Sequence, residues 1–152
     1  MVIDHLRGRE RVLVGEIAPT GTSTIDLVAA GAVSTTRPND HVHNQAYLTW
    51  LNAHRASVSF PGAGFDTARF WEILASGALL LSKRISLDLP VPLIDGVHYV
   101  GFDSLDELDQ AVEFALSDSS EVDAIRANRY AVAIGQYSTA AMARRLLNAL
   151  AE

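Results

Sequence analysis

An α/β fold, a mainly parallel sheet with helices on both faces, is what this sequence predicts. Three observations carry that expectation. Short apolar runs alternate with stretches of helical periodicity. Their order, strand then helix then strand, calls for βαβ crossovers. The run 78–82 (ALLLS) is almost wholly apolar, as in a strand buried on both sides.

Taken in order, residues 11–17 (RVLVGEI) read as a strand, 19–24 as a hydroxyl-rich turn, and 25–30 as a helix ending at Gly31. Residues 32–35 form a weak strand, and 44–54 a helix with Tyr47, Trp50, Leu51 and His54 on one side. A strand at 56–60 (ASVSF) precedes a helix at 67–76, with Gly77 in the usual position after a helix end. After 78–82 comes a proline-rich loop, 89–92, and a strand at 97–102 (VHYVGF). Ser104 and Glu107 have the spacing of a capping box opening a helix to Leu116, with Leu105, Leu108, Val112 and Leu116 as its apolar stripe. Helices at 120–128 and 138–150 close the chain, the last with Met142, Leu146 and Leu150 facing inward.

The bulk composition narrows the function. The 152 residues have room for one ordinary core. Lys and Arg number 12 against 18 Asp and Glu, a net charge of −6, which repels a nucleic-acid backbone. The best basic cluster, Arg7, Arg9 and Arg11, is interrupted by Glu10. The chain has no cysteine, which excludes disulfides, thiolate zinc sites and a cysteine nucleophile. There is no signal-peptide core and no run of the roughly 20 apolar residues that spans a bilayer. The expectation is a cytoplasmic domain without a membrane span.

The most informative stretch runs from Pro61 to Glu72. Gly62 and Gly64 allow close backbone approach and positive φ. Asp66 is placed to cap the helix beyond it. Free N–H groups at the helix start, from Thr67 on, attract a phosphate. Arg69 adds a forked cationic donor one turn in. Glu72 lies on the same side as Arg69 and is suited to accept hydrogen bonds from ribose or sugar hydroxyls. Phe65 precedes the helix, and Phe70, Ile73 and Leu74 take the core side. The alternative is a surface pair between Arg69 and Glu72, worth a few tenths of a kcal/mol.

The segment SFPGAGFDTARFWEILASGALLLSKR resembles the signature stretch of the CgeB-like group 1 glycosyltransferases. Flanking segments, from AYLTWLNAHRASVSF to YSTAAMARRLL, resemble the rest of that family's C-terminal domain. The resemblance covers residues 47–147. It implies a single Rossmann-like nucleotide-sugar-binding domain over 1–152, one half of a GT-B fold, taking a UDP- or GDP-sugar donor without a metal or other cofactor. Gly62, Gly64, Phe65, Asp66, Thr67, Arg69 and Glu72 are the implied donor contacts. Glu72 stands where relatives carry a donor-contacting carboxylate. Gly64 stands where they carry a second acid, and Asp66 is the nearest one here. A GT-B enzyme has two halves and this chain has room for one, so turnover would need a separate acceptor-binding domain, and no catalytic residue is assigned.

Other patterns weigh less. Gly21, Thr22 and Ser23 follow the first strand, as a second phosphate loop or as ordinary helix caps. His41 and His43 form a pair too isolated for a metal site. Ser59 and Ser82 lack a nucleophile elbow. Lys83 and Arg84 lie at a strand's carboxyl end, either as phosphate partners or as a solvated loop. A non-catalytic Rossmann-like assembly or regulatory module, such as a homo-oligomer, is the alternative function. A third is another nucleotide- or phosphosugar-handling enzyme complete in this domain.

Overall fold

A computed structural model of the chain describes His5 and residues 48–49, 51–62, 64–65 and 67–151. The expected strands at 11–17 and 32–35, the helix at 25–30, Gly21, Thr22, Ser23, the His41/His43 pair, Trp50 and Asp66 lie outside these residues. The chain divides into two units, Met1–Trp50 and Leu51–Glu152. The second unit holds all the described strands.

Its elements are β1 (Ala56–Ser59), α1 (Ala68–Ala75), β2 (Leu79–Lys83), β3 (Val100–Phe102), α2 (Leu105–Leu116), α3 (Ser120–Val132), a π-helical turn (Ala133–Tyr137) and α4 (Thr139–Ala151). The three strands form a parallel sheet in the order β1-β2-β3, with Ala56 beside Leu79 and Leu81 beside Val100. Leu79, Leu80, Leu81 and Ser82 of the central strand are all buried. Successive strand side chains point to opposite faces, so both faces are covered. Helices α1, α2 and α3 all pack against β2. Phe70, Ile73 and Leu74 of α1, Leu108, Ala111, Val112 and Ala115 of α2, and Val122 and Ile125 of α3 complete the core. Each large side chain buried there stabilises the fold by about 1.5–3 kcal/mol. The result is a Rossmann-like α/β arrangement, as expected.

Five local expectations are corrected. The N-cap of α1 is Thr67, whose hydroxyl accepts from the Phe70 N–H at 3.3 Å, rather than Asp66. Gly77 does not end α1 in the left-handed conformation. The C-cap Ser76 is extended, with φ −86°, and Gly77 is wanted for closeness instead. Its N–H donates to Asn52 Oδ1 at 2.5 Å, and a β-carbon there would stand 3.0 Å from that oxygen.

Strand β3 begins at Val100 instead of 97, because Gly96, at φ +76°, turns the chain just before it. The N–H groups of Val97 and His98 both donate to the Ile94 carbonyl, so they are not available to a sheet. The stripe on α2 turns toward Ala111 and Ala115, and Leu105 is exposed. Helix α4 buries none of its residues, and Met142, Leu146 and Leu150 are 55%, 62% and 75% exposed rather than inward.

Helix α3 runs beyond 128 into the π-helical turn. That turn delivers Tyr137, whose hydroxyl accepts from the Val91 N–H at 3.3 Å and donates to the Val91 carbonyl. Tyr137 also packs on Trp71, with ring centroids 4.9 Å apart. The proline-rich loop is thereby pinned beside α1.

Candidate functional site

In a parallel sheet the strands' carboxyl ends share one edge, and ligands bind there. At this edge the loop leaving β1 enters α1, Lys83 and Arg84 leave β2, and Asp103 leaves β3.

The β1–α1 loop is held by two short backbone bonds, Gly62 N–H to Gly64 O at 3.0 Å and Thr67 N–H to Phe65 O at 2.9 Å. Gly62 and Gly64 are exposed, while Phe65, Thr67 and Arg69 are half-buried. The expectation of positive φ is not met at Gly62. Nor do the described residues crowd Gly62 and Gly64: among these, a β-carbon on Gly64 would meet nothing within 4 Å, and one on Gly62 only the Thr67 methyl at 3.8 Å.

The first turn of α1 has spare donors. Thr67 takes the N–H groups of Phe70 and Trp71, and those of Ala68 and Arg69 bond to none of the described residues. Arg69 and Glu72 form no ion pair or hydrogen bond among the described residues, so the surface-pair alternative does not hold. A helix start carries partial positive charge. Here it is joined by a half-buried guanidinium that forms no ion pair with any described acid.

The β2–β3 side of the edge is different. Arg84 bonds to Asp95 at 3.2 Å, Asp103 at 2.7 Å and Glu107 at 2.6 Å. Its charge is thus already matched, and it is not a spare phosphate partner. Arg84 holds both the Asp103 and the Glu107 carboxyls below their ordinary pKa values. Glu107 also accepts from the Asp103 N–H at 2.8 Å, so the return half of the capping box closes one residue earlier than its sequence spacing implies. Ser104 makes the forward half, accepting from the Glu107 N–H at 3.2 Å.

Asp95 accepts from the Gly101 N–H at 2.7 Å, and only glycine allows this, since a β-carbon there would stand 2.5 Å from Asp95 Oδ2. The Ile85 N–H donates to the Tyr99 hydroxyl, whose pKa is raised by burial. His98 is lowered by burial and accepts from the Ile94 N–H through Nδ1.

A pH dependence follows from the cluster. Carboxyls whose native pKa is depressed stabilise the fold above their unfolded pKa, and the contribution is lost as pH falls through the native value. The melting temperature of Arg84→Gln is expected to fall below that of the wild type at pH 7. The gap should close as pH drops below about 4. A gap independent of pH would show that the ion cluster does not set it.

Sequence reasoning misses Asp95 and Arg129. Asp95 is legible in principle, since Asp-Gly before a strand marks a turn. Arg129 is not, because its partners lie more than 50 residues away in sequence. At the far end of α1, Arg129 is 1% exposed and donates to the carbonyls of Ile73, Leu74 and Ser76. It takes over the role expected of a glycine cap.

Ser59 and Ser82 are 2% and 1% exposed, which leaves neither hydroxyl open as a nucleophile. Among the described residues, no group of three or more His, Asp or Glu is placed to hold a metal ion. No described helix is long and apolar enough to cross a membrane.

No curated protein and no solved structure matches this chain. One family model, described as glycosyl transferase-like, matches residues 4–148. That span takes in the whole sheet, the loop into α1 and nearly all of α4, and the chain therefore belongs to the glycosyl transferase-like family.

Proposed function

We propose that the chain is a single nucleotide-sugar-binding domain of a metal-independent, GT-B type glycosyltransferase, close to the CgeB-like group. The diphosphate of a UDP- or GDP-sugar lies against the start of α1. The observation that carries this reading is the pairing of two uncommitted N–H groups, on Ala68 and Arg69, with a guanidinium that no described acid neutralises. Arg69 contacts the phosphates through its fork. Gly62 and Gly64 let the donor approach the backbone, and Phe65, Asp66 and Thr67 border it. Glu72, exposed one turn further on, accepts from hydroxyls of the ribose or sugar.

Glycosyl transfer breaks the bond between the sugar and the diphosphate, and negative charge grows on the departing oxygen. Preorganised N–H groups and a guanidinium lower the barrier by stabilising that charge. The acceptor and the group that takes its proton come from a second domain, acting in the cytoplasm.

Titration with UDP and with GDP, followed by thermal unfolding, tests the reading. A saturable rise of about 2–4 °C is expected at ligand well above its Kd. No shift with either diphosphate at millimolar concentration would remove the main support. Gly64→Ala refines the test. It should melt within about 1 °C of the wild type, since its new methyl meets none of the described residues, yet bind several-fold more weakly. Equal affinity would mean the donor does not pass there.

The exposed face of α4 favours a second reading, an assembly module. It predicts a concentration-dependent oligomer by light scattering and indifference to nucleotides.

A further inference from the structure

We infer a second anion site, at the opposite end of α1, that takes a small oxyanion such as a phosphate or carboxylate group. An open cavity of about 500 Å³ lies there, lined by Asn52, Ser76, Gly77, Arg126, Arg129 and Tyr130, with Ala127 at its rim. Helix α1 is eight residues long, so roughly 12 Å separates this cavity from the start of the helix. It is distinct from the donor site proposed above and does not rest on that reading.

Among the described residues the cavity's lining has two guanidinium groups and no carboxylate. Arg129 is buried and forms no ion pair among the described residues. Its fork is spent on three carbonyls, and its Nε is buried without a partner. Burial lowers its pKa to about 10, and the charge on Arg126 pushes the same way. Arg126 donates from Nε to the Gly77 carbonyl at 3.0 Å. Its ion-pair partner among the described residues is Asp123, 3.5 Å away and 75% exposed. The end carbonyls of α1 offset one positive charge. The second, on Arg126, lines the cavity and has only a long, exposed contact with an acid among the described residues.

Neutral donors stand beside it. Asn52 spends its Oδ1 on the Gly77 N–H, which leaves its amide N–H groups for another acceptor. Tyr130 is exposed and brings a hydroxyl. A positive cavity rimmed by neutral donors and lacking acids suits an oxyanion.

The test uses inorganic phosphate and citrate against chloride at constant ionic strength, read by thermal unfolding of the full chain. The expected result is a saturable rise of about 2–4 °C with one of the oxyanions. It should persist in Arg69→Gln, which removes the donor-site cation. It should vanish in Ala127→Glu, which places a carboxylate at the rim from an exposed helix position where Glu is well tolerated. Ala127→Glu by itself should melt at or above the wild-type temperature. A response lost in Arg69→Gln, retained in Ala127→Glu, or absent with both oxyanions overturns the proposal.

Discussion

Replacing Arg129 by methionine is expected to cost about 3–5 kcal/mol of stability, the range for removing one partner from a buried polar assembly. Methionine keeps much of the stem's volume and removes the fork. The carbonyls of Leu74 and Ser76 then lose their donor inside the protein, while that of Ile73 keeps the Ser76 N–H and hydroxyl. Each unsatisfied buried carbonyl costs about 1–3 kcal/mol. Relief of the buried charge returns part of this, since Arg129 has no acid partner among the described residues and its pKa is lowered by burial. A fall in melting temperature of about 10 °C or more is the measurable outcome. Arg129→Lys should recover little of it, because one ammonium cannot reproduce the spread of a fork bonded on two nitrogens. A loss below about 1 kcal/mol would mean that water reaches those carbonyls and the arginine is dispensable.

Arg69→Ala is expected to weaken binding of UDP or GDP about 10- to 100-fold, which is the 1.5–3 kcal/mol of a charge-assisted contact. Its melting temperature without ligand should stay near that of the wild type. The side chain is half-buried on the first turn of α1 and bonds to none of the described residues. Separating the two readouts matters, because a residue needed for folding would lower both. Arg69→Lys should keep the charge and lose the bidentate geometry, giving an intermediate affinity. Calorimetric titration of the three proteins gives the comparison. Equal affinities would place the diphosphate elsewhere and withdraw the donor reading of this loop.

Much of the sheet is readable from side-chain pattern alone. The run around Leu79 to Ser82 has no polar face, and a strand without one can lie only between two layers. The strand at 56–60 and the helix after it are legible from turn residues on either side. What escapes is set by atoms distant in sequence. Gly77 has the position of a left-handed cap, but an arginine more than 50 residues later occupies the carbonyls a cap would have served. His98 and Val97 belong to a β-rich run, yet one glycine's φ turns them into a loop. The leucines of α4 have regular inward spacing and remain exposed, because periodicity says which side is apolar and nothing about what covers it. At the site, the pattern places Arg69 and Glu72 on one side of a helix. That they leave each other alone needs coordinates. Arg84 shows the converse: its position at a strand end suggests a ligand, and only three-dimensional neighbours show its charge to be spent.

The lopsided distribution of charge along the sheet's carboxyl edge has a consequence for traffic. Between β2 and β3 the Arg84 cluster acts as a plug, one guanidinium among three carboxylates that leave it net negative, with Gly101 close against it. Beside β1 the edge is unplugged, bordered by two glycines that no described residue crowds and a helix start with donors to spare. An incoming anion meets a repelling wall on one flank and uncommitted donors on the other. On the donor reading proposed above, the fold guides the direction of arrival as well as the place of docking.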